Sequence, residues 1–140
     1  MIAVDTSVLV DFIGPDAAAA EQALRMALAA RPVVACEVVI TEVVAGLGSA
    51  AVVADTLNEI GIGFSPIDMR SALRAGEMQK RYRERTRGRR QESGQGSLRR
   101  SMPDFLIGAH ALLQCQSLIT RDAGFYRDYF KGLKLIVPKA

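Results

Sequence analysis

Four acids in this chain of 140 residues stand where a carboxylate can do chemistry: Asp5, Glu42, Asp104 and Asp122. Asp5 follows Ile2-Ala3-Val4, Glu42 follows Val38-Val39-Ile40-Thr41, and Asp122 follows Leu118-Ile119-Thr120-Arg121. Each of these three is therefore expected just past the carboxyl end of a strand. Asp104 is expected at the start of a helix that runs from Pro103 to about Gln114. Carboxylates brought close together repel one another unless some protonate or a divalent cation neutralises them. Oxygen donors without clustered His or Cys select a hard ion, Mg²⁺ or Mn²⁺. An ion held this way keeps several waters and binds substrate phosphate, which suits hydrolysis of a phosphodiester.

Taken singly, each acid also has a plain structural use. Asp5 can cap a turn, Thr41 and Glu42 can open a helix, Ser101-Met102-Pro103-Asp104 resembles a capping box, and Asp122 can be an N-cap. What argues for a joint role is their expected convergence on one sheet edge, together with an uneven charge. The formal net charge is +3, but residues 80–100 hold nine of the 18 Lys and Arg and only two of the 15 acids, Glu84 and Glu92. That segment carries +7 and the rest of the chain −4. Basic charge gathered in one stretch attracts a polyanion far better than the same charge spread out.

The elements that would place these residues alternate between strand and helix. Ile2 to Val4 and Val8 to Val10 frame the polar trio Asp5-Thr6-Ser7, read as a short buried strand that ends in polar groups. An Ala-rich helix is expected over 17–30, a strand over 33–40, a helix opened by Thr41 at Glu42, and a further helix over 50–60. A third strand over 61–67 leads to Asp68, an N-cap for a helix that enters the basic segment and is broken up by Gly88, Gly94 and Gly96. Strands over 117–120 and 133–137 flank a short helix over 122–130. This alternation predicts a mainly parallel sheet covered on both faces by helices, with ligands beyond the carboxyl ends of its strands. One domain over residues 1–140 is expected, with a basic loop or insertion at about 86–99.

Composition excludes other classes. With 49% hydrophobic residues the chain can bury a core, and no apolar run reaches the length of a membrane span. Asp5 and Asp11 interrupt the apolar start, which does not read as a signal peptide. Cys36 and Cys115 lie apart in apolar stretches and read as buried reduced thiols of a cytoplasmic protein. Met26, Met69, Met78 and Met102 read as gap fillers. His110 stands about 240° around the helix from Asp104 and cannot share its face. Asp11 reads as a surface or capping residue. Arg121 suits either a substrate phosphate or a surface salt bridge. In the basic segment, Lys80, Arg81, Arg83, Arg85, Arg87, Arg89 and Arg90 would encircle a helix and leave no apolar face. The segment is either a solvated loop or an arm that pairs with phosphates; its single aromatic, Tyr82, gives little support to base stacking.

Ile2-Ala3-Val4-Asp5-Thr6-Ser7-Val8-Leu9-Val10-Asp11, Ile40-Thr41-Glu42-Val43, Pro103-Asp104-Phe105-Leu106-Ile107-Gly108-Ala109-His110-Ala111, and Ile119-Thr120-Arg121-Asp122 with Phe125 together resemble the PIN-domain family, specifically the VapC-type toxin ribonucleases. The resemblance covers nearly the whole chain in the family's order. It implies a three-layer α/β/α fold and Mg²⁺- or Mn²⁺-dependent cleavage of RNA, by a homodimer inhibited by a small antitoxin. Asp5 and Asp104 match the principal metal ligands, Glu42 and Asp122 the remaining acids, and Ser7 and Thr120 polar positions that orient a carboxylate or water. Residues 86–99 depart from the pattern, since the family usually has a shorter connection there. Arg83, Arg85, Arg87, Arg89, Arg90 and Arg121 are the candidate RNA contacts. Two other functions compete: a PIN-like RNA-binding module without turnover, and a receiver-type phosphoacceptor. The latter lacks the Lys expected after a late strand, where this chain has Arg121.

Overall fold

Three β-branched or small apolar residues in a row, each fully covered, set the centre of the molecule. The computed structural model describes residues 1–93 and 100–139, apart from the side chains of 88–93. Strand β1 (Ile2–Val4) and strand β2 (Val33–Ala35) are buried at every position, as strands covered on both faces must be. With β3 (Gly63–Phe64), β4 (Ser117–Ile119) and β5 (Lys134–Ile136) they form one parallel sheet in the order β3-β2-β1-β4-β5. Seven α-helices are present among the described residues: α1 (Thr6–Ile13), α2 (Ala18–Ala30), α3 (Glu37–Leu47), α4 (Ala50–Ile60), α5 (Met69–Ser93), α6 (Met102–His110) and α7 (Ala123–Tyr129). The expected three-layer α/β/α arrangement is the one observed. No helix among the described residues is long and apolar enough to cross a membrane.

The strand order puts β2 on one side of β1 and β4 on the other, so the chain reverses its winding direction at β1. A crevice opens beyond the carboxyl ends of strands at such a point. Register decides what lines it. Val4 pairs with Ile119, and the Asp5 N–H continues the ladder onto the Ile119 carbonyl at 2.9 Å. The residues that follow this pair, Asp5 and Thr120, are thereby neighbours.

Several local expectations are corrected. The apolar run 33–40 leaves the strand at Ala35, and α3 begins at Glu37 instead of Glu42. Val39 and Val43 are buried four residues apart, so the helix fills the core with one face. Thr41 is then inside the helix, donating its hydroxyl back to the Glu37 carbonyl at 2.7 Å, and Glu42 sits beyond the first turn of α3, well past the end of β2. Val8 to Val10 belong to α1, which Asp5 caps. Helix α5 passes Gly88 without a break and continues to Ser93; residues 94–99 lie outside the described residues. Nor is the basic segment without an inner face: Tyr82 and Thr86 are half-buried and continue, at helical spacing, the face that Ala75, Met78 and Gln79 bury just before it. Of the four methionines read as gap fillers only Met78 is buried, while Met26 and Met69 are 68% and 75% exposed and Met102 is exposed as well.

Helix α6 continues as a π-helical turn, Ala111–Cys115. Gly108 on α6 is required by a close approach: a Cβ there would lie 2.6 Å from Cζ and 2.7 Å from Cδ2 of the buried Phe130 ring. Cys36 and Cys115 are both free and buried, and burial pushes the Cys115 thiol up to about 11. His110 is buried against the hydroxyl of Ser65 at 3.0 Å, a packed residue of the core.

Candidate active site

Asp5 is the most tightly held of the four acids. It is buried at the end of β1; its Oδ1 accepts the Thr6 N–H at 2.8 Å, and its Oδ2 accepts the Thr120 hydroxyl at 2.7 Å and the Ser7 hydroxyl at 3.3 Å. Thr120 is itself fully buried, and its Oγ1 accepts the Asp122 N–H at 2.9 Å. One threonine at the end of β4 thus fixes two of the acids at once. On the opposite flank, the Thr6 hydroxyl donates to Glu42 Oε1 at 2.6 Å, which ties α3 to the first turn of α1. Asp104 sits at the third position of α6, where its Oδ2 accepts the Ser101 N–H at 3.3 Å.

The plain capping roles divide the four acids. Asp5 caps α1 and Asp104 bonds back to the start of α6, so capping accounts for these two. Asp122 makes no side-chain cap bond to α7, and Glu42 lies inside a helix. Capping explains neither of them.

Electrostatics show how close the group is. Burial raises the Asp5 carboxyl above its usual value, and the charge of Asp104 adds to the rise against the hydrogen bonds of Thr120, Thr6 and Ser7. Burial likewise raises Asp104, with Glu42 and Asp122 adding to it and the Ser101 N–H and Arg100 opposing it. Among the described residues, however, no three or more His, Cys, Asp or Glu side chains converge closely enough to hold a metal as they stand. A cation of the chain itself lies between two of them: the Arg100 guanidinium pairs with Asp122 through Nη1, which is also 4.0 Å from Asp104 Oδ1.

Two residues besides Thr6 and Arg100 belong to this neighbourhood. Tyr126 is buried, its hydroxyl finds no hydrogen-bond partner among the described residues, and Asp5, Asp104 and Asp122 all help to hold that hydroxyl well above its usual value, after burial itself. Phe125 lies under the Arg100 guanidinium, 4.5 Å from its ring centre. Arg100 is legible only as the last residue of the basic segment, just before the Ser101 to Asp104 start of α6. For Tyr126 the sole sequence signal is its position four residues past Asp122.

The donor chemistry fits a hard divalent ion. All four acids offer oxygen, mutual repulsion leaves their charge under-neutralised, and an unsatisfied buried hydroxyl beside them is suited to a water of hydration. As they stand the acids are too far apart to share one ion, and Arg100 lies between Asp104 and Asp122.

The candidate RNA contacts are dispersed. Arg121 pairs with Asp11, Nε to Oδ2 at 2.9 Å. Arg83 donates to Gln79 Oε1 at 3.3 Å, Arg85 lies over the Tyr129 ring at 5.3 Å, and Arg87 is exposed. The side chains of Arg89 and Arg90 lie outside the described residues.

Solved structures with the same fold span the whole chain. VapBC2 from Rickettsia felis bound to a promoter DNA fragment has a TM-score of 0.72 at 18% identity, covering 99% of this chain and 100% of that one. VapBC-1 from nontypeable Haemophilus influenzae has a TM-score of 0.66 at 15% identity, covering 98% of each. VapC20 of Mycobacterium tuberculosis, a sarcin-ricin loop cleaving toxin, has 0.60 at 19%, covering 96% of this chain and 99% of that one. At such identities the likeness is one of fold. A search of curated proteins gives no match. A sequence profile of the PIN domain matches residues 2–131, and the chain belongs to the PIN domain family.

Proposed function

We propose that this chain is a Mg²⁺- or Mn²⁺-dependent endoribonuclease, the toxin of a toxin–antitoxin pair, built as one nuclease domain over residues 1–140 and acting in the cytoplasm. The observation that carries the reading is the group Asp5, Glu42, Asp104 and Asp122 at the switch point of a PIN fold, close enough that Asp104 feels both Glu42 and Asp122. These four acids would hold the ion, and Ser7 and Thr120 keep Asp5 oriented for it. Held there, such an ion would supply Lewis-acid polarisation of a phosphoryl oxygen and a lowered pKa for attacking water. The chain's own part is to hold the acids rigidly, through Thr120 to Asp5 and Asp122 and through Thr6 to Glu42. Arg83, Arg85, Arg87, Arg89, Arg90 and Arg121 add the phosphate attraction, which depends on charge and is blind to sequence. A small antitoxin as inhibitor is supported by the kinship of fold with VapBC complexes, and a homodimer as the working form follows from the resemblance of the sequence alone.

The test is RNA cleavage by the purified protein with Mg²⁺ or Mn²⁺, with and without EDTA. Asp5→Asn and Asp104→Asn should each lower the rate by at least ~100-fold, the size expected when a preorganised charged group is lost. Cleavage at the parental rate in both would overturn the assignment. One observation favours the silent RNA-binding module instead: Arg100 already bridges Asp104 and Asp122. RNA binding without turnover at any metal concentration would establish that reading.

A further inference from the structure

Arg100 is built into the acid cluster in a way the other ion pairs among the described residues are not. Its side chain is 31% exposed, against 77% for Arg25 in its pair with Glu21 and 57% for Arg121 in its pair with Asp11. Three separate contacts define its place. Its backbone N–H donates to the Tyr82 hydroxyl at 2.9 Å, its guanidinium lies on the face of Phe125, and its Nη1 meets Asp122 with Asp104 next to it. Tyr82 is in turn wedged between the rings of Phe105 and Tyr129, 5.5 and 5.6 Å away.

Resting on the metal-site reading above, we propose that Arg100 is an exchangeable counter-cation of this site: its guanidinium and a divalent ion compete for Asp104 and Asp122. The same carboxylate oxygens serve both, and a monovalent and a divalent cation repel strongly within a half-buried site. A planar guanidinium satisfies carboxylate lone pairs bidentately, whereas a small hard ion needs those lone pairs for itself. Arg100 therefore neutralises part of the cluster when no ion is bound, and its removal makes room. The strength of its grip on Asp122 sets the cation concentration at which the site loads.

Calorimetric titration of the full chain with Mn²⁺ tests this without reference to turnover. Arg100→Gln should bind Mn²⁺ at least ~10-fold more tightly than wild type, and Arg100→Lys, a more mobile and more strongly hydrated cation, should fall between them. Circular dichroism confirms that each variant is folded before titration. If wild type binds Mn²⁺ and Arg100→Gln binds it equally or more weakly, the competition is refuted and the metal site stands. If neither binds, while both are folded, the metal reading falls and this inference with it.

Discussion

Thr120 hydrogen-bonds Asp5 across 115 residues of sequence, hydroxyl to Oδ2 at 2.7 Å, and the threonine oxygen in turn accepts the Asp122 N–H. The pairing follows from register: Val4 faces Ile119, so the next residue on each strand meets the other at the mouth of the crevice. Thr120→Val keeps the shape and removes the donor and the acceptor together. It should lower stability by about 1–3 kcal/mol in urea unfolding and RNA cleavage by about 10- to 100-fold. Thr120→Ser should restore most of both. A Val variant as active as the parent would show that Asp5 needs no such support.

Asp104 works against the fold that holds it. Its carboxyl is raised from the usual 3.8 by burial and by the neighbouring acids. A group raised in the folded state contributes stability that is complete below its unfolded value and is lost as pH climbs through the folded one. Without metal at pH 7, Asp104→Asn should therefore melt higher than wild type, by on the order of 1–4 °C. The gap should close as pH falls below 3.8. Thermal melts in EDTA across about pH 3 to 8 measure it, and a variant that melts lower at pH 7 would contradict the sign.

Tyr126 carries a buried hydroxyl with nothing among the described residues to bond. Tyr126→Phe should stabilise the metal-free protein by about 1–2 kcal/mol, since an unsatisfied buried hydroxyl costs that much. The same variant should gain less from added Mn²⁺ than wild type does. Lower stability in EDTA would mean that the hydroxyl already has a bound water as its partner.

Gly108 has no room for a methyl group beside Phe130. Gly108→Ala should cost about 2–3 kcal/mol, because an aromatic ring packed into the core cannot be pushed aside cheaply. The more helical side chain gives back at most about 1 kcal/mol. Equilibrium unfolding decides, and a neutral substitution would show that the packing of α6 on Phe130 yields.

Arg83 and Arg87 test the basic helix. Changing both to Gln should weaken binding of single-stranded RNA and flatten the log–log salt dependence by about 1.4, since each phosphate left without its arginine takes about 0.7 from the slope. Mn²⁺ affinity should not move. An unchanged slope would make this part of α5 a solvated face and nothing more.

The sheet and three of the acids are legible because short-range signals settle them. Ile2 to Val4 and Leu118 to Ile119 are short apolar runs that suit buried strands, which puts Asp5 and Asp122 just past their ends. Glu42 is legible as a residue and misplaced as an element. Val38, Val39 and Ile40 suit a strand by type, and only the packing of Val39 and Val43 into the core chooses the helix. The hidden parts of the site are those made by tertiary contact. Nothing near Arg100 in sequence names Asp122 or Tyr82 as its partners, and nothing near Tyr126 marks its hydroxyl as stranded. Likewise the inner stripe of Ala75, Met78, Tyr82 and Thr86 is masked by the arginines between its members.

The bond from Arg100 to Tyr82 joins two points 18 positions apart in sequence, the inner face of α5 and the approach to α6, as a pair of clamps beside the site. Insertions or deletions between those clamps need not be felt at Asp104. The length and charge of the chain between the clamps are thereby separated from the placement of Arg100 beside Asp122 and Asp104.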